Sequence, residues 1–175
     1  VINFLITIHW KCRCVPETLF LSVNIFDRYL DAKPVRKTKL FCVGLTAFFI
    51  ASKYEEIRPP RIHNLQCITR NSYTKKEILT MENNILSTLQ YKVTVVTPHA
   101  FLVRFLKATL SNNRTTYFAS YLLERTLQEK FYNTYSPSML AASSVLIARE
   151  TIQKRSWTPT LEYYTGYTER ALNDC

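Results

Sequence analysis

Glycine is nearly missing from this chain: Gly44 and Gly166 are the only two in 175 residues. Phosphate-cradling loops need several glycines so that backbone can approach the ligand, so neither a P-loop nor a dinucleotide fingerprint can be built. The same shortage argues against an all-β chain with many tight turns. Histidine is also scarce. His9, His63 and His99 lie far apart, with no His-Glu or Ser-His-Asp arrangement around them, so each reads as a surface or capping residue and no catalytic site is expected. No apolar run is long enough to cross a bilayer. No cleavable leader is legible, because Val1 opens an amphipathic pattern and no cleavage-type segment follows. The pattern begins in mid-course and without a methionine, so the natural protein is expected to extend upstream.

Carboxylates are outnumbered by cations, 13 to 23, giving a formal net charge of +10. That balance suits an acidic partner or nucleic acid. The cations, however, come in separate small groups: Lys11/Arg13, Arg36/Lys37/Lys39, Arg58/Arg61, Lys75/Lys76 and Lys154/Arg155. No dense basic helix with interleaved aromatics stands out, so charge alone points weakly to nucleic acid. The five cysteines, Cys12, Cys14, Cys42, Cys67 and Cys175, are odd in number, and Cys42 lies within an apolar segment. Reduced thiols of an intracellular protein fit better than disulfides. Cys12 and Cys14 lack a second Cys/His pair at zinc spacing, so no metal and no cofactor is expected.

What is present is helical periodicity. Leu40 to Ala51 is apolar or small on every side, which predicts a helix buried all round. Leu40, Gly44, Ala47 and Ala51 fall at steps of three and four, a seam of small side chains that lets neighbouring backbones come close. Lys53, Tyr54, Glu55 and Glu56 then arrive together, and Pro59-Pro60 closes the element. On spacing alone these four are either a solvated helix end or the polar edge of a contact surface.

Upstream, Ile2, Leu5, Ile6 and His9 step helically. Pro16 suits a first helical position, followed by the stripe Leu19, Val23, Phe26, Leu30 with Asp27 beside it, until Lys33-Pro34 breaks the helix. Ile62 to Ile68 predicts a turn or two of helix. Thr74-Lys75-Lys76-Glu77 matches a capping box. In the helix it starts, Glu82 lies on the face of Ile78, Ile85, Leu86 and Leu89. A carboxylate there must meet a cation, for which Lys53 is nearest by helix order, or sit at the stripe's edge in water.

Thr97-Pro98 predicts a further helix start, with Phe101, Leu102, Phe105, Leu106 and Leu110 facing inward. Ser111-Asn112-Asn113-Arg114 is the most linker-like stretch, which puts the expected domain boundary between 111 and 112, giving domains 1–111 and 112–175. Tyr117, Tyr121, Leu122 and Leu127 suggest the next helix. Ser136-Pro137 then caps one carrying MLAASSVLIAR, small-residue-rich like the central helix. Its Ile147-Ala148 corresponds to Ile50-Ala51 at an offset of about 97 residues, a weak repeat in letters and a better one in pattern. Thr158-Pro159 starts a short helix ending at Gly166, and Thr168 caps the last.

The runs PETLFLSVNIFDRYL, LTAFFIASKYEEIRPP and YTKKEILTMENNIL resemble the cyclin box. TPHAFLVRFLKA and TGYTERALNDC are similar to A/B-type cyclins, most of all the B-type mitotic ones. The resemblance covers the whole chain. It implies an all-α fold of two tandem, stacked cyclin-box repeats of about five helices each, with the second repeat truncated. It also implies no enzyme activity, a nuclear and cytoplasmic location, and a cyclin-dependent Ser/Thr protein kinase as partner.

Carried over by residue, Lys53 and Glu82 match the family's charged pair facing the kinase, and Ile50, Tyr54, Leu86, Tyr91 and Val93 match the apolar positions around it. Val1, Phe4, Thr7, Leu40 and Phe41 fall in the family's groove for substrate docking peptides. Phe4 replaces the usual Trp, Thr7 replaces the usual acidic residue, and the groove's usual Met-Arg would precede Val1. The competing reading is a nucleic-acid-binding factor of the TFIIB type, which reuses the same repeat.

Overall fold

Leu40 to Glu55 is the helix around which the first half of the chain is built, and its neighbours follow from how little polar surface it offers. The computed structural model describes residues 1–109, 111–129, 132–153, 157–173 and 175. Leu110, Lys154 and Arg155 of the sequence reading lie outside the described residues. Among the described residues ten α-helices follow in order: α1 (Ile2–Cys12), α2 (Pro16–Ala32), α3 (Leu40–Glu55), α4 (Ile62–Ile68), α5 (Lys75–Thr88), α6 (Pro98–Ala108), α7 (Asn113–Thr126), α8 (Pro137–Gln153), α9 (Pro159–Thr165) and α10 (Glu169–Leu172). No described helix is long and apolar enough to cross a membrane.

The chain divides into two compact units, Val1–Val95 and Val96–Cys175. The helix order repeats at the offset of about 97 read from the sequence: α3 begins at Leu40 and α8 at Pro137, α2 at Pro16 and α7 at Asn113, α4 at Ile62 and α9 at Pro159. The expected boundary at 111/112 is therefore corrected to 95/96. The reason is packing. Helix α6 is the counterpart of α1 and lies against α7, α8 and α9 of the second unit. Ser111 to Arg114 looked like a linker because it is a helix start: Asn112 accepts the Thr115 N–H at 2.9 Å.

In the first unit α3 packs on α1, α2 and α5. Every residue from Cys42 to Ser52 is buried. Leu21, Ile25, Phe26 and Tyr29 of α2 meet Val43, Ala47, Ile50 and Ala51 of α3, Ile85 of α5 and Leu89 just past its end in one cluster. At Gly44 the start of α1 closes directly on α3. A β-carbon there would stand 2.6 Å from Val1 Cγ1 and 3.7 Å from Leu5 Cδ2. The capping box of α5 is complete: Glu77 N–H donates to Thr74 Oγ1 at 3.2 Å and Thr74 N–H to Glu77 Oε2 at 3.0 Å. Those Thr74 bonds hold the Glu77 carboxyl below its ordinary range.

Helix α2 starts without a polar cap of its own, because Val15 precedes Pro16. Glu56 supplies one from 41 residues away. Its Oε1 accepts the Val15 N–H at 2.8 Å and the Thr18 hydroxyl at 2.7 Å, so the carboxylate just past α3 sits at the positive end of α2.

In the second unit α8 is the buried helix, with Ala141, Ala142, Val145 and Ala148 fully enclosed. The match of Ile147 with Ile50 fails in detail, since Ile147 is 46% exposed and Ile50 only 4%. Tyr117 and Tyr121 of α7 also face solvent, and its buried face is Thr115, Ala119 and Leu123.

Two outcomes follow. Glu56→Ala lowers the free energy of unfolding in urea by about 1–2 kcal/mol, the loss of a charged helix cap. Gly44→Leu costs about 1–3 kcal/mol in the same assay, because the added side chain overpacks the α1–α3 approach.

Candidate functional site

Lys53 lies in the last turn of α3, where a cation suits the negative helix end. Its ammonium lies over the Phe49 ring, with Nζ 4.5 Å from the ring centroid. The ammonium donates a hydrogen bond to Glu82 Oε1. The pair is lopsided. The Glu82 side chain is 8% exposed, while that of Lys53 is 42% exposed. Glu82 therefore does not sit at the stripe's edge in water, one of the two options its spacing left open. Leu86 beside it is half-buried and Ile85 fully buried. A buried carboxylate is held by a cation that itself reaches the surface, and of the ammonium's three donors only one is directed at Glu82.

The residues around the pair come from three short stretches of the first unit. Tyr54 follows Lys53, is half exposed, and its hydroxyl meets Thr94 Oγ1 at 2.7 Å. Ile50, one turn earlier, is buried in the cluster beneath. After α5 the chain reverses through Gln90 and Tyr91, both with positive φ (52° and 57°). The Tyr91 N–H donates to the Leu86 carbonyl at 2.8 Å, closing the helix end. That turn leaves Tyr91 71% exposed, while Val93 packs back on the core. Arg28 Nη2 donates to the Lys92 carbonyl at 2.9 Å and ties this segment to α2.

The structure thus joins Lys53 and Glu82 directly. Leu86 adjoins Glu82 on α5, Tyr54 adjoins Lys53 on α3, and Tyr91 and Val93 stand on the turn that α5 leads into. Sequence reasoning missed Phe49 beneath the ammonium, Thr94 as the partner of Tyr54, and Arg28 as the tether. None carries a signal in the letters, since all three are ordinary core or surface residues at their positions. It also missed that Glu55 and Glu56 differ in role. Glu56 caps α2, whereas burial, and then the charges of Glu17 and Glu56, push the Glu55 carboxyl above its ordinary value.

The second predicted group lies on α1 and the start of α3. Phe4 and Phe41 meet edge to face, with centroids 5.3 Å apart and planes at 80°, and Phe41 stays 48% exposed. Leu40 and Val1 pack on the core cluster from its rim. Thr7 is exposed and turns its hydroxyl back to the Asn3 carbonyl at 2.8 Å. The result is an apolar surface with no carboxylate at Thr7.

Two family models match the chain end to end: the cyclin N-terminal domain over residues 1–94 and the cyclin C-terminal domain over 96–175. Among curated relatives, Cyclin-B1-2 of Arabidopsis thaliana is 44% identical over all of this chain and 40% of its own length. The G2/mitotic-specific cyclin-1 of Antirrhinum majus is 43% identical over all of this chain and 37% of its own. The chain thus spans about 40% of the length of these relatives. The X-ray structure of a viral cyclin from herpesvirus saimiri superposes with a TM-score of 0.86 at 24% identity, covering 98% of this chain and 79% of that one, and so supports the fold. With the family models meeting at the boundary between the two compact units, the chain belongs to the cyclin family.

Proposed function

We propose that this chain is the kinase-binding part of a mitotic cyclin: a regulatory subunit, not an enzyme, that binds and activates a cyclin-dependent Ser/Thr protein kinase. The observation that carries the reading is Glu82, a carboxylate in an apolar stripe, held by an ammonium that still faces outward. The B-type and G2/mitotic-specific names of the relatives point the same way.

The arrangement fits the task physically. Activating a kinase of this class means holding its mobile helix and activation segment so that its own Lys–Glu pair and metal site assemble. A partner surface for that needs an apolar centre and a few fixed polar anchors. Tyr91, Leu86 and Tyr54 supply apolar area. Lys53 and Glu82, each immobilised by the other, offer hydrogen bonds to the kinase backbone without first losing side-chain freedom. Val1, Phe4, Leu40 and Phe41 form the matching candidate for substrate docking peptides, and with Thr7 uncharged that surface favours apolar over basic anchors. Work in the nucleus and cytoplasm accords with this role. The nucleic-acid reading rests on net charge alone, and the paired carboxylate at the best-formed site does not serve it.

Lys53→Glu abolishes pull-down of a cyclin-dependent kinase while the far-ultraviolet circular dichroism stays native. Undiminished pull-down by that variant would remove Lys53 from the interface. Glu82→Ala weakens kinase binding by about 2–5 kcal/mol in calorimetry, as for a desolvated charged contact. A change within error would leave Glu82 a purely internal partner of Lys53.

A further inference from the structure

We propose that the concave surface between the end of α1, the α3–α4 connection and α4 binds an anionic side chain of a partner protein, a phosphorylated Ser/Thr or an acidic residue. The site shares no residue with the kinase grip and goes beyond that function. Its volume is about 660 Å³, within the range of side-chain-sized and small-ligand sites. Four cations line it, Lys11, Arg13, Arg58 and Arg61, and all are exposed. No ion pair holds any of the four among the described residues. Among the described residues its single carboxylate is Glu56, which is engaged by the Val15 N–H and the Thr18 hydroxyl. The lining therefore carries an excess of uncompensated positive charge.

The guanidinium groups stand on fixed backbone. Arg13 is the left-handed C-cap of α1, with φ 53° and its N–H directed to the His9 and Trp10 carbonyls. Arg58 and Arg61 flank Pro59-Pro60, whose rings fix two successive φ angles. Arginine forks match phosphoryl and carboxylate oxygens bidentately. Nucleic acid fits less well. Single-strand sites add aromatic platforms for base stacking, and among the described residues no Phe, Tyr or Trp lines this surface.

The cysteines provide a reporter. Cys12, Cys14 and Cys67 line the site, and Cys67 is exposed. The hydrogen bond with Cys12, and then burial and the charge of Glu56, push the Cys14 thiol up. Cys175 is exposed and does not line it.

The test titrates this chain with a short phosphothreonine peptide and, in a parallel arm, with the same peptide carrying glutamate, reading backbone amide shifts by NMR. No kinase is present, so failure here is separate from failure of the kinase reading. The expected result is saturable shifts confined to Lys11–Cys14 and Glu56–Asn64, with the tighter-binding peptide identifying the anionic group. Arg58→Glu/Arg61→Glu weakens that binding at least tenfold and leaves kinase pull-down intact. In the unsubstituted chain, bound peptide slows iodoacetamide alkylation of Cys67 and not of Cys175. Shifts scattered over all the lysines, an unchanged affinity in the double variant, or preferential single-stranded DNA binding at these residues would overturn the proposal.

Discussion

A helix without a polar face has one stable environment, which is complete enclosure, and α3 imposes that condition on the first unit. Eleven consecutive residues from Cys42 to Ser52 are buried. Helices must therefore cover it on several sides, and α1, α2 and α5 do so. Gly44 allows α1 to approach and the small residues Ala47 and Ala51 admit α2 and α5. Because its flanks are enclosed, α3 offers function only its two ends, Phe41 at its start and Lys53 and Tyr54 at its finish. Lys53 is the first residue to emerge from the core, and α5, packed alongside, brings Glu82 to meet it.

The same end does two further things. Three residues past Lys53, Glu56 turns back to cap α2, and Arg58 and Arg61 then face the surface bordered by the end of α1. A run of charged residues that looks uniform in sequence is thus divided by geometry into an ion pair, a partly buried carboxyl, a helix cap and a cationic rim. Each has different energetics. A desolvated pair is costly to break from one side, a cap contributes about 1 kcal/mol, and exposed cations contribute mainly through the partners they attract.

Much of this was legible in the letters. The bounds of α4, the capping box at Thr74, the proline starts of α2, α6, α8 and α9, and the left-handed stop at Gly166 are local signals, and local chemistry decides them. Glu82 was legible as a conflict, since a carboxylate in an apolar stripe must be resolved somehow. The failures share a cause. Ser111-Asn112-Asn113 has the composition of a linker because capping and linking use the same residues. Tyr117 and Tyr121 read as apolar, yet small Thr115 and Ala119 fill the close helix contact and leave the rings outside. The role of Glu56 needs a contact across 41 residues, and the exposure of Ile147 needs the packing of its own unit.

The central claim is that Lys53 and Glu82 act on the partner as one unit rather than as two independent charges. A double-mutant cycle with Lys53→Ala, Glu82→Ala and the double variant, each measured for affinity to a cyclin-dependent kinase by calorimetry, tests this directly. Residues in one network show coupling of about 0.5–3 kcal/mol. The structure predicts a coupling of about 1 kcal/mol or more, with the second substitution costing far less than the first. Losses that simply add would contradict it.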